Sequence, residues 1–156
     1  MEIRSFKKED ISQVLELCRE VRQHHIEILN GFFTEQNDEI EQKFFLEAID
    51  NPKDIALVAT ENDIVLGYLL ATIKYAAHLV NPNVAHICNI GVRKNLRKTG
   101  IGTKLMDKLF EICRSNGVEQ ISLGVYNKNT SAYSFYEKYG FEPMEQKMIF
   151  DLTKSK

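Results

Sequence analysis

Two apolar stretches in the middle of the chain, "IALVAT" (55–60) and "VLGYLLATIKY" (65–75), are separated only by the polar tetrapeptide "ENDI" (61–64). A connection that short cannot carry a crossover helix, so the two segments read as antiparallel strands of one hairpin. A chain with a hairpin at its centre is not a doubly wound parallel sheet. The pattern implies an α/β fold of the α+β kind, with a mixed sheet and helices on its faces.

The flanking segments fit that frame. "EIRSF" reads as a short strand. Asp10 with Gln13 has the spacing of a capping box ahead of Ile11, Val14, Leu15, Cys18 and Val21, which fall on one helix face. Asp38 with Glu41 repeats the device before Ile40, Phe44, Phe45 and Ile49, and "DNP" ends that helix. "VAHICNIGV" is a further strand. The helix after it shows an apolar face of Ile101, Leu105, Leu109, Ile112 and Cys113, with Gly117 as a stop. "QISLGVYN" is a strand, "NTSAYSFYEKYG" a short helix, and "KMIFDL" a last strand. The order is β-α-α-β-β-β-α-β-α-β, and the lack of any Pro/Ser/Gly linker predicts one domain over residues 1–156.

Composition narrows the function classes. A formal net charge of −2 gives no global reason to expect nucleic acid or an anionic membrane as partner. The charged N-terminus is no secretory signal, and no apolar run approaches the roughly 20 residues that span a bilayer. Cys18, Cys88 and Cys113 lie in apolar segments without a CxxC pair, which reads as three reduced core thiols and a cytoplasmic chain.

The stretch "NLRKTGIGTKLM", Asn95 to Met106, places two glycines where a strand gives way to an amphipathic helix. A dinucleotide fingerprint would need a third glycine where Leu105 stands, and a P-loop needs a different glycine–lysine spacing. What remains is a helix N-terminus with exposed N–H groups, preceded by Arg93, Lys94, Arg97 and Lys98, a junction suited to a phosphate. A solvated basic loop whose glycines only permit close packing is the other reading.

Val92-x4-Arg97-x-x-Gly100-x-Gly102 resembles the acetyl-CoA loop of the GNAT superfamily of N-acetyltransferases. Residues Asn129 to Phe141, with Ala132, Tyr136 and Gly140 in register, are similar to the second signature of that family, N-x-x-A-x-x-x-Y-x-x-x-G-F. The resemblance spans nearly the whole chain. It implies the GNAT fold, with a central mixed sheet of six or seven strands flanked by about four helices.

It also implies roles. The strand with Ile90 and Val92 would splay from the next, leaving backbone groups for the pantetheine arm, as an added strand would use them. N–H groups from Arg97 through Lys98, Thr99, Gly100, Ile101 and Gly102 to Thr103 would hold the pyrophosphate. Asn129 fits the position that helps hold the cofactor, and it is equally a good helix N-cap. Tyr136 sits at the general-acid position, where a phenol can protonate the departing thiolate. It also reads as one of five core aromatics in "YSFYEKYGF".

His86, eleven residues before Arg97, stands where some members of the family place a catalytic glutamate. An imidazole with an ordinary pKa of about 6.5 can serve as base for the amine, although many relatives use a water relay, and a hydrogen-bonded sheet histidine fits too. Alternation puts His86, Cys88 and Ile90 on one face of the strand and Asn89 on the other.

"VRQHHIEILNGFF" lies where the family builds its acceptor site, so His24, His25 and Phe32 are candidate lining residues. Tyr75, in "KYAAHLVNPNVAH", is a candidate second wall. His24 and Glu27 supply at most two metal ligands, and no metal is expected. The function implied is acetyl transfer from acetyl-CoA to a small-molecule or peptide primary amine, with no cysteine in either motif to carry the acetyl group. A homodimer follows only from family habit. An acyl-CoA-binding regulatory module without turnover, and a nucleic-acid binder using the basic run 93–98, are the alternatives.

Overall fold

Asp54–Glu61 (β2) pairs antiparallel with Ile64–Tyr75 (β3). The turn between them places Asn62 and Asp63 at φ 48° and 63°. Asn and Asp tolerate that left-handed conformation, and two such residues in succession match the twist of the strands they join.

The computed structural model describes residues 1–29, 32–34 and 37–153. They gather into two compact units, Met1–Gly124 and Val125–Lys156. In the first, β1 (Glu2–Ser5) leads through a 3-10 turn to α1 (Ile11–Leu29) and α2 (Asp38–Asp50). After the hairpin come β4 (Asn83–Val92), a second 3-10 turn at Lys94–Leu96, α3 (Ile101–Ser115) and β5 (Gln120–Leu123). The sheet runs β1-β2-β3-β4-β5, antiparallel except for the parallel pair β4–β5, which α3 connects. The mixed α/β class is the expected one.

Each face of the sheet has its own helix layer. Val14, Leu17 and Cys18 of α1 and Phe45 of α2 pack with Phe6, Val58, Tyr68 and Leu70. On the other face, Leu105, Met106 and Leu109 of α3 are fully buried. A Cβ on Gly67 would lie 3.0 Å from Ile101 Cγ2, so a glycine in β3 lets α3 close onto the sheet.

The helix starts differ from the expected boxes. Asp10 ends the first 3-10 turn, accepting from Lys7 N at 2.8 Å and from both Arg4 terminal nitrogens. Gln13 instead ties the hairpin, its Oε1 accepting from Val65 N and its Nε2 donating to Asp63 O. Asn37, not Asp38, caps α2 through Glu39 N at 2.8 Å. Asp38 and Glu41 turn back to α1, where they pair with Arg19 and Arg22.

The second unit holds α4 (Thr130–Lys138), capped by Asn129, whose Oδ1 accepts from Ala132 N at 3.3 Å. Gly140, at φ 86°, ends it. The segment "KMIFDL" is not a strand, and Met148, Ile149, Phe150 and Leu152 are exposed. Alternation supplies a strand's side-chain pattern but not the neighbour its backbone needs. Among the described residues the sheet has five strands, not six or seven.

Candidate active site

β4 carries the features that open the sheet. β5 runs beside it only from Val84↔Gln120 to Ile87↔Leu123. From Cys88 to Val92, no described strand lies on that side. Arg93 donates its N–H to Leu66 O at 3.0 Å, toward β3. By alternation the main-chain groups of Val92 and Ile90 point the other way, to the open side. The Val92 carbonyl is taken there by Arg97 Nε at 3.2 Å, leaving its N–H and the Ile90 groups along the gap.

A bulge sets which side chains face which way. Leu70 is opposite Asn89 while Ala71 is opposite Ile87, so Cys88 is the extra residue. Thr72, opposite His86, shares a face of β3 with Leu70, so His86 and Asn89 face the same helix layer. Ile90, opposite Leu69, faces the other. The alternation expected for His86, Cys88, Ile90 and Asn89 is thus reset at Cys88. Cys88 is exposed, with its Sγ 3.4 Å from Thr72 Oγ1, and is not the core thiol the sequence implies. Cys18 and Cys113 are buried as expected, and burial raises both thiol pKa values, Cys18 to about 11.

The glycine loop follows directly. Lys98 at φ 66° and Gly100 at φ 91° turn the chain back onto α3 through two left-handed residues. Thr99 Oγ1 bonds Leu96 O at 2.6 Å, and Lys104 N donates to Gly100 O at 3.1 Å to close the first helical turn. The N–H groups ahead of Lys104 point out of the helix end, where the macrodipole is positive. A Cβ on Gly100 would meet nothing within 4 Å. Its surroundings are therefore open, and the glycine is required by its backbone angle. Lys98, Thr99 and Thr103 are exposed, Arg97 and Gly102 half-buried, and Ile101 anchors the helix in the core. An open main-chain edge running into a cationic helix end fits a ligand with an amide-bearing arm and a pyrophosphate.

His86 is half-buried, with Nδ1 2.9 Å from Ser122 Oγ. Burial, then the nearby Lys74 cation, lower its pKa, so the imidazole is neutral near pH 7. In the second unit Tyr136 is buried and meets Phe135 and Phe141 edge-on, with ring centroids 5.4 and 5.8 Å away. Burial pushes its pKa up to about 12, so it keeps its proton at any physiological pH.

Of the expected acceptor-site residues, three cluster. His24 and His25 are adjacent at the end of α1, His25 stacks on Phe33 at 5.9 Å, and Phe33 meets Phe32 edge-on at 5.1 Å. Burial and then His24 lower the pKa of His25. Tyr75 stands apart at the end of β3, opposite Asn83 and 73% exposed. Ser122 and Tyr68 escape the sequence reading, because only strand register shows that Ser122 lies against His86 and Tyr68 reaches Asn89.

Comparison with known proteins gives a consistent picture. The family model for the acetyltransferase (GNAT) family matches residues 18–141. N-alpha-acetyltransferase 50 of Danio rerio is 33% identical over 106 residues, 67% of this chain and 61% of that protein. Streptothricin acetyltransferase A of Bacillus subtilis is 29% identical over 115 residues, 72% of this chain and 66% of that protein. The chain spans about three-fifths of the length of the first curated relatives it matches. Among solved structures, a mutant of the BH1408 protein from Bacillus halodurans superposes with a TM-score of 0.89 at 22% identity, covering 97% of this chain and 99% of that one. An aminoglycoside 6'-N-acetyltransferase from Acinetobacter haemolyticus gives 0.77 at 14% identity, covering 99% and 100%.

Proposed function

The chain belongs to the GNAT family of acetyltransferases, and on that premise we propose that it moves an acetyl group from acetyl-CoA to a primary amine by direct attack, with both substrates bound. The observation that carries this reading is the end of β4–β5 pairing at Ile87↔Leu123, just ahead of the glycine-hinged start of α3. We take residues 1–156 as one catalytic domain, supported by a family match that runs through the boundary at Gly124.

When bound, acetyl-CoA supplies a thioester acetyl group within reach of the amine. Main-chain groups of Ile90 and Val92 align the pantetheine arm, and N–H groups from Arg97 to Thr103 hold the pyrophosphate. Asn129 assists from the start of α4. His86, neutral near pH 7, accepts the proton of the incoming ammonium; Tyr136 delivers its phenolic proton to the departing sulfur, and the second proton shed by the acetylated nitrogen restores the phenol. His24, His25, Phe32 and Tyr75 line the acceptor side. The acceptor class is a small-molecule amine or a peptide N-terminus, a reading supported by relatives called N-alpha-acetyltransferase 50 and streptothricin acetyltransferase A.

The test is thiol release from acetyl-CoA with the full chain and a panel containing a polyamine, an aminoglycoside and a peptide with a free α-amino group. Amine-dependent release is expected, and Tyr136→Phe should lower kcat by about 100-fold while leaving acetyl-CoA binding intact. Tight acetyl-CoA binding with no release on any amine would instead make the chain a regulatory acyl-CoA-binding module. Normal turnover in Tyr136→Phe would remove the phenol from the acid role.

A further inference from the structure

His86 lies between two polar side chains in directly opposed register, Thr72 of β3 and Ser122 of β5. The two are not equivalent partners. Thr72 Oγ1 already donates to Asp54 Oδ1 at 2.6 Å. Ser122 Oγ sits 2.9 Å from His86 Nδ1, and this bond joins the last stretch of β4 that β5 still accompanies. The next residue pair, Ile87↔Leu123, is where pairing ends. The ring is therefore fixed by its Nδ1 edge at the mouth of the gap.

A neutral imidazole has one N–H and one lone pair, and a base must present the lone pair to its substrate. A hydroxyl can accept from Nδ1–H both before and after the ring gains a second proton. An Nδ1 lone pair would instead be occupied by Ser122, and Nε2 would carry a hydrogen and be unable to accept one.

We propose that Ser122 is the positioning residue of the base: its oxygen accepts Nδ1–H of His86, fixing the tautomer that aims the Nε2 lone pair at the acceptor amine. This rests on the reading of His86 as base. In the proton transfer, one N–H bond of the acceptor ammonium breaks and an Nε2–H bond forms. The ammonium charge passes to the imidazolium, and the electron pair left on the amine nitrogen is the one that attacks the acetyl carbon. Nδ1–H stays on Ser122 throughout, and solvent water takes the Nε2 proton afterwards.

The test is the ¹⁵N spectrum of the histidine side chains in the full-length protein, recorded where His86 is neutral and assigned with His86→Gln. Wild type should show His86 protonated at Nδ1. Ser122→Ala should shift the ring toward the Nε2–H form and lower kcat on the best amine by about tenfold, with the KM for acetyl-CoA unchanged. Ser122→Thr, which keeps the hydroxyl, should restore both signals. An Nε2–H tautomer in the wild type would overturn the proposal without any variant having to fold, as would an unchanged tautomer in Ser122→Ala. Undiminished turnover in His86→Gln is a different result, which would overturn the base reading itself.

Discussion

The Tyr68 hydroxyl of β3 donates to Asn89 Oδ1 of β4 at 2.8 Å and receives Cys18 Sγ–H of α1 at 3.0 Å. Burial holds the phenol neutral, with its pKa well above the ordinary value, so it remains a donor. One side chain thus ties the bulged, open stretch of β4 to the helix layer beneath it. Tyr68→Phe leaves the half-buried Asn89 oxygen without this donor and should cost about 1–3 kcal/mol in urea unfolding. It should also raise the KM for acetyl-CoA, since Asn89 precedes Ile90. An unchanged midpoint would show that the bond carries no stability.

Two glycines within the proposed cofactor cradle are needed for opposite physical reasons. A Cβ on Gly91 would lie 2.6 Å from Tyr68 Cε1 and 3.0 Å from Val21 Cγ2, within a packed core. Gly91→Ala should therefore destabilise by about 1–3 kcal/mol through overpacking. Gly100→Ala meets no neighbour, but it forces a side chain to φ 91° at an expected cost of about 1–2 kcal/mol. Thermal unfolding gives both losses. Gly100→Asn, which tolerates the left-handed region better, should recover part of the second. Equal losses for Gly100→Asn and Gly100→Ala would contradict the strain account.

Much of this was legible in the sequence because it depends on local chemistry. "ENDI" required a hairpin, the spacing Ile101, Leu105, Leu109 required a helix with one buried face, and Gly100 and Asn129 marked the starts of α3 and α4. What was illegible depends on residues distant in the chain. The bulge at Cys88 is a mismatch between two strands, so neither strand shows it alone, and it moves Asn89 to the face of His86. Ser122 looks like any strand serine until register sets it against His86. Asp38 and Glu41 carry a capping pattern, but Arg19 and Arg22 of α1 offer charge partners and leave the cap to Asn37.

Acid should weaken the join between β1 and the start of α1. Burial alone would raise the Asp10 pKa. Hydrogen bonds from Arg4 and from the Lys7 N–H, with the nearby cations, outweigh it and hold the carboxyl below its usual range. A carboxylate depressed in the folded state contributes stability above its unfolded pKa of about 3.9 and loses it as pH falls through the folded value. Asp10→Asn should thus melt below wild type at pH 7, and the gap should narrow below about pH 4. A gap that stays constant into that range would mean the carboxylate's charge is not what stabilises the turn.

In the proposed reaction, acetyl-CoA is held by main-chain groups along the open side of β4 and at the start of α3. Side-chain substitution cannot remove those groups, so the decisive measurement is amide hydrogen exchange with and without acetyl-CoA. Slower exchange at Ile90, Val92, Ile101 and Gly102 is expected when acetyl-CoA is added, with little change in β1 and β2. Binding without protection at those amides, or protection confined to another part of the chain, would mean that acetyl-CoA is held elsewhere.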